Sequence, residues 1–473
     1  MVLLEHHFMR NFNQTLARST YTLPYECSFY QSVEFSESTP FALGKCMSSP
    51  ADLLVHDWNS TPLFDTDAVQ ILDDTLRDGL QSPAAFQPHI SQKKVVVDTM
   101  SALGVHGVTL GLPGSGEKSL RDIIDLARHI SESHYDLEMV SAVRTHPDDV
   151  AAHIRSCEVS GQLITASLFV GSSPIRRTVE EWSLSELMDM SMQSIRACVR
   201  EGLPVMFVTE DTTRSRPQDI ATLYKAAIDE GASRICVADT VGSADMSGTR
   251  SIIEFAKTII EKSGADVKLD WHGHNDRGLA LANSLTALQA GADRIHATVL
   301  GLGERTGNTA LDQMLVNLRL MGAQSSGNFE QLMHACNAVS THCNAPLPDN
   351  YPALGRDAFR TSTGVHAAAV AKARNLGDAW LADRIYSSVP ASWFGLEQKI
   401  EVGPMSGRTN VEHWLNQNCP GMPTLERDDA VVSILAFAKN SPAILTDRQI
   451  QEVLETSRRK HIAKTTALEA MVK

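Results

Sequence analysis

The sequence contains no run of about 18 consecutive apolar residues, so it predicts no membrane-spanning helix. Basic residues are scarce, since 42 Lys and Arg against 56 Asp and Glu give a formal charge of −14. This balance argues against nucleic acids and anionic membranes as partners, because both select a basic surface. Acidic Glu5 and the lack of an apolar segment after Met1 predict no secretory signal. We therefore expect a cytoplasmic protein.

Cysteine pairs are also missing. The eight cysteines stand singly and none belongs to a CxxC motif. A chain of 473 residues can build a core without disulfides, so we expect reduced thiols. At about 150 residues per domain, this length allows two or three domains, or one large α/β barrel with appendages.

From about residue 70, short apolar runs alternate with segments of helical periodicity. Eight such β-then-α units, about 32 residues apart, predict an α/β protein with a (β/α)8 TIM barrel. The alternative is a doubly wound open sheet, which the strand count and the lack of GxGxxG after the first run disfavour. The eight runs lie near residues 71–76, 107–112, 137–143, 164–170, 205–210, 234–240, 267–272 and 294–300.

The chain around the barrel divides into two further parts. Residues 1–66 are polar and irregular, which predicts an N-terminal extension. The barrel is expected over residues 67–345, and the Pro- and Gly-rich string NAPLPDNYPALG follows it as a linker. Helical periodicity then predicts a mainly helical C-terminal subdomain over residues 346–473.

Ionisable residues gather where the predicted strands end, which is where barrels carry their chemistry. Arg77 and Asp78 follow the first run, and the seventh run ends in an HxH motif, His272 and His274. Alternate strand residues face the same side, so both imidazoles can meet one ion. A carboxylate with two imidazoles suits a divalent cation with open coordination positions. The glycine-rich loop after the eighth run places Asn308 within reach of this cation.

Other polar residues follow the remaining runs. Asn275 and Asp276, next to the HxH motif, are candidates to orient the imidazoles. Each polar residue alone could cap a helix or lie in the core, but their convergence on one rim favours a functional site. The rim candidates are Arg144, His146, Ser173, Glu210 and Thr240.

Several strings resemble the synthase branch of the DRE-TIM metallolyases, which comprises 2-isopropylmalate, homocitrate and (R)-citramalate synthases. The likeness is greatest to 2-isopropylmalate synthase. It implies a Claisen condensation of acetyl-CoA with a 2-oxo acid at a Zn²⁺, Mg²⁺ or Mn²⁺ ion, followed by thioester hydrolysis. The strings are DDTLRDGLQ (73–81), HGHNDRGLALANSL (272–285), GLGERTGN (301–308), STGVHAAAVAK (362–372) and IEVGPMSGRTNV (400–411).

The resemblance implies a role for each matching position in the barrel. Arg77 matches the arginine that stabilises the developing oxyanion. Thr240 matches the residue that binds the 2-oxo acid carboxylate, and Glu210 matches an acidic residue beside the substrate. The positions that match the metal ligands are Asp78, His272 and His274, with Asn308 at or near the ion.

The C-terminal strings carry two further matches. His366 matches the histidine implicated in deprotonating acetyl-CoA, and Tyr386 matches a tyrosine near the same site. On spacing alone, His366 would be a solvent-exposed helical histidine. In the family such residues reach the neighbouring protomer's barrel, which implies a homodimer.

The sequence departs from the family pattern at three places. The second strand of the family ends in a string like IEAGFP, whereas this sequence has VTLGLP, and we assign Leu110 to the position of the acid. This predicts a more apolar or larger 2-oxo acid side chain, or altered handling of the enolate. The family string DTTLRDG corresponds to DDTLRDG in this sequence, which begins with Asp73 and Asp74. The chain ends at Lys473, which leaves no room for a leucine-binding regulatory domain, so we expect no leucine feedback.

The substrate and the direction of reaction stay open. Arg144 and His146 could bind a distal carboxylate, so homocitrate synthesis is an alternative, as are citramalate and aryl- or modified-malate synthesis in secondary metabolism. A carbon–carbon lyase like 3-hydroxy-3-methylglutaryl-CoA lyase is disfavoured, because the loop after the eighth run lacks cysteine. The intact metal set disfavours a catalytically silent paralogue.

Overall fold

The computed structural model describes residues 54–59, 62, 64–323 and 328–472. Most of the predicted N-terminal extension therefore lies outside the described residues. The chain divides into two units, Met1–Ser60 and Thr61–Lys473, and every element named below belongs to the second. None of the helices in the described ranges is long and apolar enough to cross a membrane.

Eight parallel strands close into a barrel in chain order, which confirms the predicted fold. The last strand pairs with the first, with Leu72 opposite His296. The strands are β1 (Gln70–Asp73), β2 (Gly107–Thr109), β3 (Glu138–Arg144), β4 (Thr165–Gly171), β5 (Val205–Glu210), β6 (Arg234–Asp239), β7 (Lys268–Gly273) and β8 (Arg294–Ala297).

Helices follow the strands and cover the outside of the barrel. Several begin at proline, whose fixed φ suits the first helical turn, and others begin at a side-chain cap such as Asp245. They are α1 (Ile90–Leu103), α2 (Glu117–Glu132), α3 (Pro147–Ser160), α4 (Pro174–Glu180), α5 (Leu184–Arg200), α6 (Pro217–Asp229), α7 (Met246–Ser263), α8 (Ala280–Ala290), α9 (Leu311–Leu320) and α10 (Phe329–His342).

Side-chain alternation along the strands separates two buried regions. Val108 and Leu110 belong to the apolar core between strands and helices, whereas Leu72, Val140 and Met206 form a small cluster inside the barrel. Below this cluster lies a buried ionic group. Arg294 is fully buried and its Nη2 lies 2.7 Å from Asp270 Oδ2, with Arg234 and Glu138 at the same end. The interior is thus closed at the amino ends of the strands.

The region after the barrel is mainly helical, as predicted. Phe359 and Phe394 pack into the core that the barrel helices share, whereas Val402, Trp414 and Ile434 belong to a second apolar cluster. Two short strands, β9 (Arg360–Thr361) and β10 (Lys399–Ile400), pair in parallel. The helices are α11 (Gly364–Asn375), α12 (Ala379–Arg384), α13 (Arg408–Asn418), α14 (Thr424–Lys439) and α15 (Asp447–Val472).

Candidate active site

A cavity of about 300 Å³ opens at the carboxyl ends of the barrel strands. It lies where a TIM barrel is expected to carry its chemistry, and its volume suits a small ligand. The structure brings together in its lining six of the residues that the sequence predicted as site residues: Arg77, Asp78, Glu210, Thr240, His272 and His274.

Three buried side chains form a compact set of metal-type donor atoms. Asp78 Oδ2 lies 3.4 Å from His272 Nε2 and 3.6 Å from His274 Nε2. The two Nε2 atoms are 3.3 Å apart, and all three donor atoms lie within 4.8 Å of one another. One carboxylate oxygen and two imidazole nitrogens facing a common point fit a divalent cation.

The amide of Asn308 adds a fourth donor beside this set. Its nitrogen donates to Asp78 Oδ1 and to the carbonyl oxygen of Leu302, both at 3.0 Å. These two acceptors fix the orientation of the amide, and its Oδ1 is left buried with no partner. Gly303 permits the approach, since a Cβ there would lie 2.0 Å from the amide nitrogen. An unpartnered buried oxygen next to the three donors supports the fit of a metal ion.

Asp74 contacts the ring nitrogen of His272 that does not face Asp78. Its Oδ2 lies 3.3 Å from His272 Nδ1, 2.9 Å from Arg77 Nη2 and 3.7 Å from His296 Nδ1. The Nδ1–H of His272 thus points to a carboxylate, which leaves the Nε2 lone pair for an ion. The sequence had suggested Asn275 and Asp276 for this task. Instead, Asn275 accepts a hydrogen bond from a helical backbone N–H and Asp276 pairs with an arginine.

Opposing charges set the protonation of this cluster. Burial would raise the pKa of Asp78, but the charge of Arg77 and the contact with His272 hold the pKa well below its usual range. Burial alone would lower the pKa of His272, but hydrogen bonds to Asp74 and Asp78 outweigh it and raise the pKa to about 9. Burial, together with the neighbouring His272 charge, lowers the pKa of His274 to about 4. A cation that binds here therefore competes with a proton on His272.

Arg77 is fixed between two carboxylates. Its Nη2 donates to Asp74 at 2.9 Å and its Nη1 lies 3.1 Å from Asp78 Oδ2. The Nε–H is buried and has no partner. The side chain also lines the cavity, so a fixed positive charge lies beside any ligand bound there.

Glu210 and Thr240 lie on the wall and rim of the same cavity. Burial raises the pKa of Glu210, although the charges of Arg176 and Arg77 oppose this shift. The hydroxyl oxygen of Thr240 accepts a hydrogen bond of 2.8 Å from the backbone N–H of Asp211. Its own proton therefore remains free to be donated to a ligand.

The family can be named from this barrel and its sequence. A sequence model of the HMGL-like family matches residues 68–339. The chain belongs to the HMGL-like family, within the DRE-TIM superfamily.

Curated relatives of this HMGL-like protein are synthases. It is 31% identical over 393 residues to homocitrate synthase AksA of Methanopyrus kandleri, covering 82% of this chain and 92% of that one. It is 29% identical to 2-isopropylmalate synthase of Methanocaldococcus jannaschii, covering 82% of this chain and 71% of that one. These relatives support an enzyme of the acyltransferase kind that condenses acetyl-CoA with a 2-oxo acid.

The solved structures that resemble this HMGL-like protein are more distant. The HMG-CoA lyase of Bacillus subtilis matches with a TM-score of 0.50 and 22% identity, covering 60% of this chain and 96% of that one. A lyase from Pseudomonas aeruginosa matches with a TM-score of 0.50 and 19% identity, covering 59% of this chain and 94% of that one. At these identities the likeness concerns the barrel fold alone.

The position of Leu110 corrects the sequence analysis of the second strand. Leu110 is 1% exposed and packs in the core between strands and helices, outside the cavity. Thr109 lines the cavity instead, as expected from the alternation of side chains along β2. An ungapped comparison of VTLGLP with IEAGFP also places Thr109, not Leu110, opposite the acid. The position of the family's acidic residue therefore corresponds to Thr109, one residue before Leu110.

Three rim candidates lie outside the residues that line the cavity. The guanidinium of Arg144 binds Asp149 through two hydrogen bonds of 2.7 and 2.8 Å. His146 caps α3 by accepting the backbone N–H of Asp148 at 3.2 Å. Ser173 caps α4 in the same way, accepting from Arg176. Their local contacts account for their positions after the strands without a bound ligand.

His366 and Tyr386 lie together on the C-terminal region. Their rings stack with centroids 3.9 Å apart, and Tyr386 is exposed. Neither residue lines the cavity of the same chain. A groove of about 820 Å³ near α12 also lies in this region, but its Asp383 is occupied in capping the backbone N–H of Ala391.

An Asp74→Asn variant is expected to bind its metal about 10- to 100-fold more weakly, because partners that orient a ligating histidine contribute that much to affinity. Metal content after dialysis against buffers of graded metal activity measures this effect. Asp98→Asn is the matched control, since it alters a carboxylate–imidazole pair with His129 at 2.6 Å on the outer helices. Equal metal affinity in the two variants would contradict the role assigned to Asp74.

A Thr109→Val variant is expected to be more stable than the native protein by about 1 kcal/mol. Thr109 Oγ1 is buried and has no partner, and an isosteric methyl group removes that unpaired hydroxyl. Turnover is expected to fall, since Thr109 lines the cavity that holds the donor set. Urea unfolding and steady-state kinetics measure the two effects, with Thr109→Ser as the control that keeps the hydroxyl. A less stable Val variant would show that the hydroxyl is already paired.

Proposed function

We propose that this protein is a 2-isopropylmalate synthase-like acyltransferase that condenses acetyl-CoA with a 2-oxo acid to give a 2-substituted malate and CoA. The observation that carries the proposal is the convergence, in one cavity, of the donor set around Asp78 with the free Nε–H of Arg77. The synthase names of the curated relatives support the same reaction.

The proposed metal site consists of Asp78, His272 and His274, with Asn308 beside them. When bound, a Zn²⁺, Mg²⁺ or Mn²⁺ ion would polarise the keto group of the 2-oxo acid and hold its carboxylate. Asp78 contributes negative charge to this site and Asp74 orients His272, as the distances above describe.

Arg77 is proposed to stabilise the alkoxide that forms from the keto oxygen during the condensation. Its two carboxylate partners hold the guanidinium in place, so the buried Nε–H needs no rearrangement to donate. Thr240 is proposed to donate its hydroxyl proton to the carboxylate of the 2-oxo acid. Both residues would thus fix the ketone for attack.

The proton from the acetyl methyl group needs a base. We propose His366, assisted by Tyr386, for this step, and Glu210 as the acidic group beside the substrate. The carbanion then forms the carbon–carbon bond, the alkoxide takes up a proton, and water cleaves the thioester to release the CoA thiol. Because His366 and Tyr386 lie outside the cavity of their own chain, we propose a homodimer whose C-terminal subdomains reach the partner's barrel.

The remaining features of the proposal concern organisation and location. We propose an N-terminal extension over residues 1–66, a catalytic barrel over 67–345 and a C-terminal helical subdomain over 346–473. Acetyl-CoA and a 2-oxo acid are the proposed partners, nucleic acids and membranes are not, and the proposed location is the cytoplasm.

Release of free thiol from acetyl-CoA tests the proposed function. The metal-loaded protein is assayed with pyruvate, 2-oxoisovalerate, 2-oxovalerate, 2-oxoglutarate and phenylpyruvate, and the product is identified by mass spectrometry. Thiol release that requires both the 2-oxo acid and the metal supports the proposal. Cleavage of 3-hydroxy-3-methylglutaryl-CoA without any condensation would assign a lyase instead, and complete inactivity would indicate a silent paralogue.

A further inference from the structure

We propose that the substrate is a 2-oxo acid with an uncharged side chain, which lies against the part of the cavity wall formed by strands β2 to β5, where none of the described lining residues is a lysine or arginine. This inference rests on the proposed function and adds the chemical class of its substrate. It excludes a 2-oxo acid with a second carboxylate, although a relative named homocitrate synthase is among the most similar proteins.

The cavity has two chemically different sides. The donor set, Arg77 and Thr240 lie on β1, β6 and β7 or directly after them. The opposite wall consists of side chains that point inward from β2 to β5 and carry no charge below the rim. These are Thr109, Ala142, Ser167, Phe169, Met206 and Val208. A 2-oxo acid whose carboxylate and keto oxygens face the donor set must extend its side chain toward this wall.

The cations of the cavity are all on the donor side. Among the described residues that line it, only Arg77 and Arg305 are permanently positive. Arg305 binds Asp276 at 2.8 Å and the carbonyl oxygen of Thr240 at 2.6 Å. Deeper in the cavity, His296 faces Asp270 at 3.0 Å. None of these groups belongs to β2, β3, β4 or β5.

Two arginines close to the uncharged wall are already paired. Arg144 is the last residue of β3, but it does not line the cavity, and its guanidinium is held by Asp149 and the carbonyl oxygen of Gly114. Arg176, on α4, lies 2.9 Å from Glu180. Glu210 stands at the rim of the same wall and would repel a second carboxylate. A distal carboxylate would therefore have to displace a carboxylate from one of these arginines or be buried without a cation, and both are unfavourable.

The sharpest test compares 2-oxovalerate with 2-oxoglutarate, which have the same carbon chain and differ in a terminal methyl or carboxylate group. Steady-state thiol release is measured with the metal-loaded protein and saturating acetyl-CoA. We expect kcat/KM for 2-oxovalerate to exceed that for 2-oxoglutarate at least 100-fold. A ratio near one, or a preference for 2-oxoglutarate, would overturn the inference and leave the proposed function standing. If no 2-oxo acid is turned over, the proposed function and this inference both fail.

A variant pair tests whether the wall itself sets this preference. Val208→Arg adds a cation to the wall and is expected to raise kcat/KM for 2-oxoglutarate at least 10-fold while lowering that for 2-oxovalerate. Val208→Met is the control, because methionine is similar in length to arginine and carries no charge. It should lower kcat/KM for both 2-oxo acids or for neither. If the Arg variant is soluble and metal-loaded but keeps the native ratio, the wall does not contact the side chain. If the Arg variant does not fold, the ratio of kcat/KM for 2-oxovalerate to kcat/KM for 2-oxoglutarate in the native protein decides whether the inference holds.

Discussion

Replacement of Arg77 by methionine is expected to reduce kcat about a thousandfold, the effect of removing one preorganised donor from a developing oxyanion. Asp74 and Asp78 hold the guanidinium in place, and its buried Nε–H has no hydrogen-bond partner among the described residues. Methionine keeps most of the side-chain volume and removes all N–H donors. Steady-state thiol release gives kcat, and metal analysis of the same sample shows whether the donor set is intact.

Arg77→Lys separates the charge from the geometry of this group. Lysine keeps the positive charge between the two carboxylates but cannot present the Nε–H while pairing with both. We expect it to retain its metal and still lose most of kcat. Recovery of near-native kcat in the lysine variant would mean that charge alone is needed, and the assigned role of the Nε–H would then be wrong.

An Asp78→Asn variant is expected to lose metal and activity together, with affinity reduced more than 100-fold. Asp78 is the only carboxylate among the three donor atoms, and its charge offsets that of Arg77 beside it. The neutral amide removes both contributions. Metal content after dialysis and the metal concentration needed to restore turnover measure the loss. His129→Gln, which changes a histidine on the outer helix α2, should match the native protein in both. Full metal content in the Asn variant would place the ion elsewhere.

The barrel could be predicted because burial on both faces turns each strand into a short apolar run. The ends of the strands could not be placed as well. The first run was expected to reach residue 76, but β1 ends at Asp73, and the eighth was expected to reach residue 300, but β8 ends at Ala297. In both places buried apolar residues, Leu76 and Val299, follow the end of the ladder, so the apolar run is longer than the strand.

The site itself was partly visible in the sequence. The HxH spacing and Asp78 indicated a common ion, and the structure brings their donor atoms within 4.8 Å. Asp74 was not recognised as the partner of His272, because that contact joins β1 to β7 and depends on closure of the barrel. An arginine at the end of a strand can bind a substrate or form an ion pair within the protein. Arg144 pairs with Asp149, and this contact became visible only in the structure.

The closed ionic floor of the barrel has a kinetic consequence. Arg294 and Asp270 are fully buried beneath the cavity, so among the described residues they close its floor and leave it open at the carboxyl ends of the strands. For the proposed reaction, the 2-oxo acid lies deeper than acetyl-CoA, whose bulk must stay outside. For the proposed reaction we therefore expect ordered addition, in which the 2-oxo acid binds before acetyl-CoA and CoA departs before the malate.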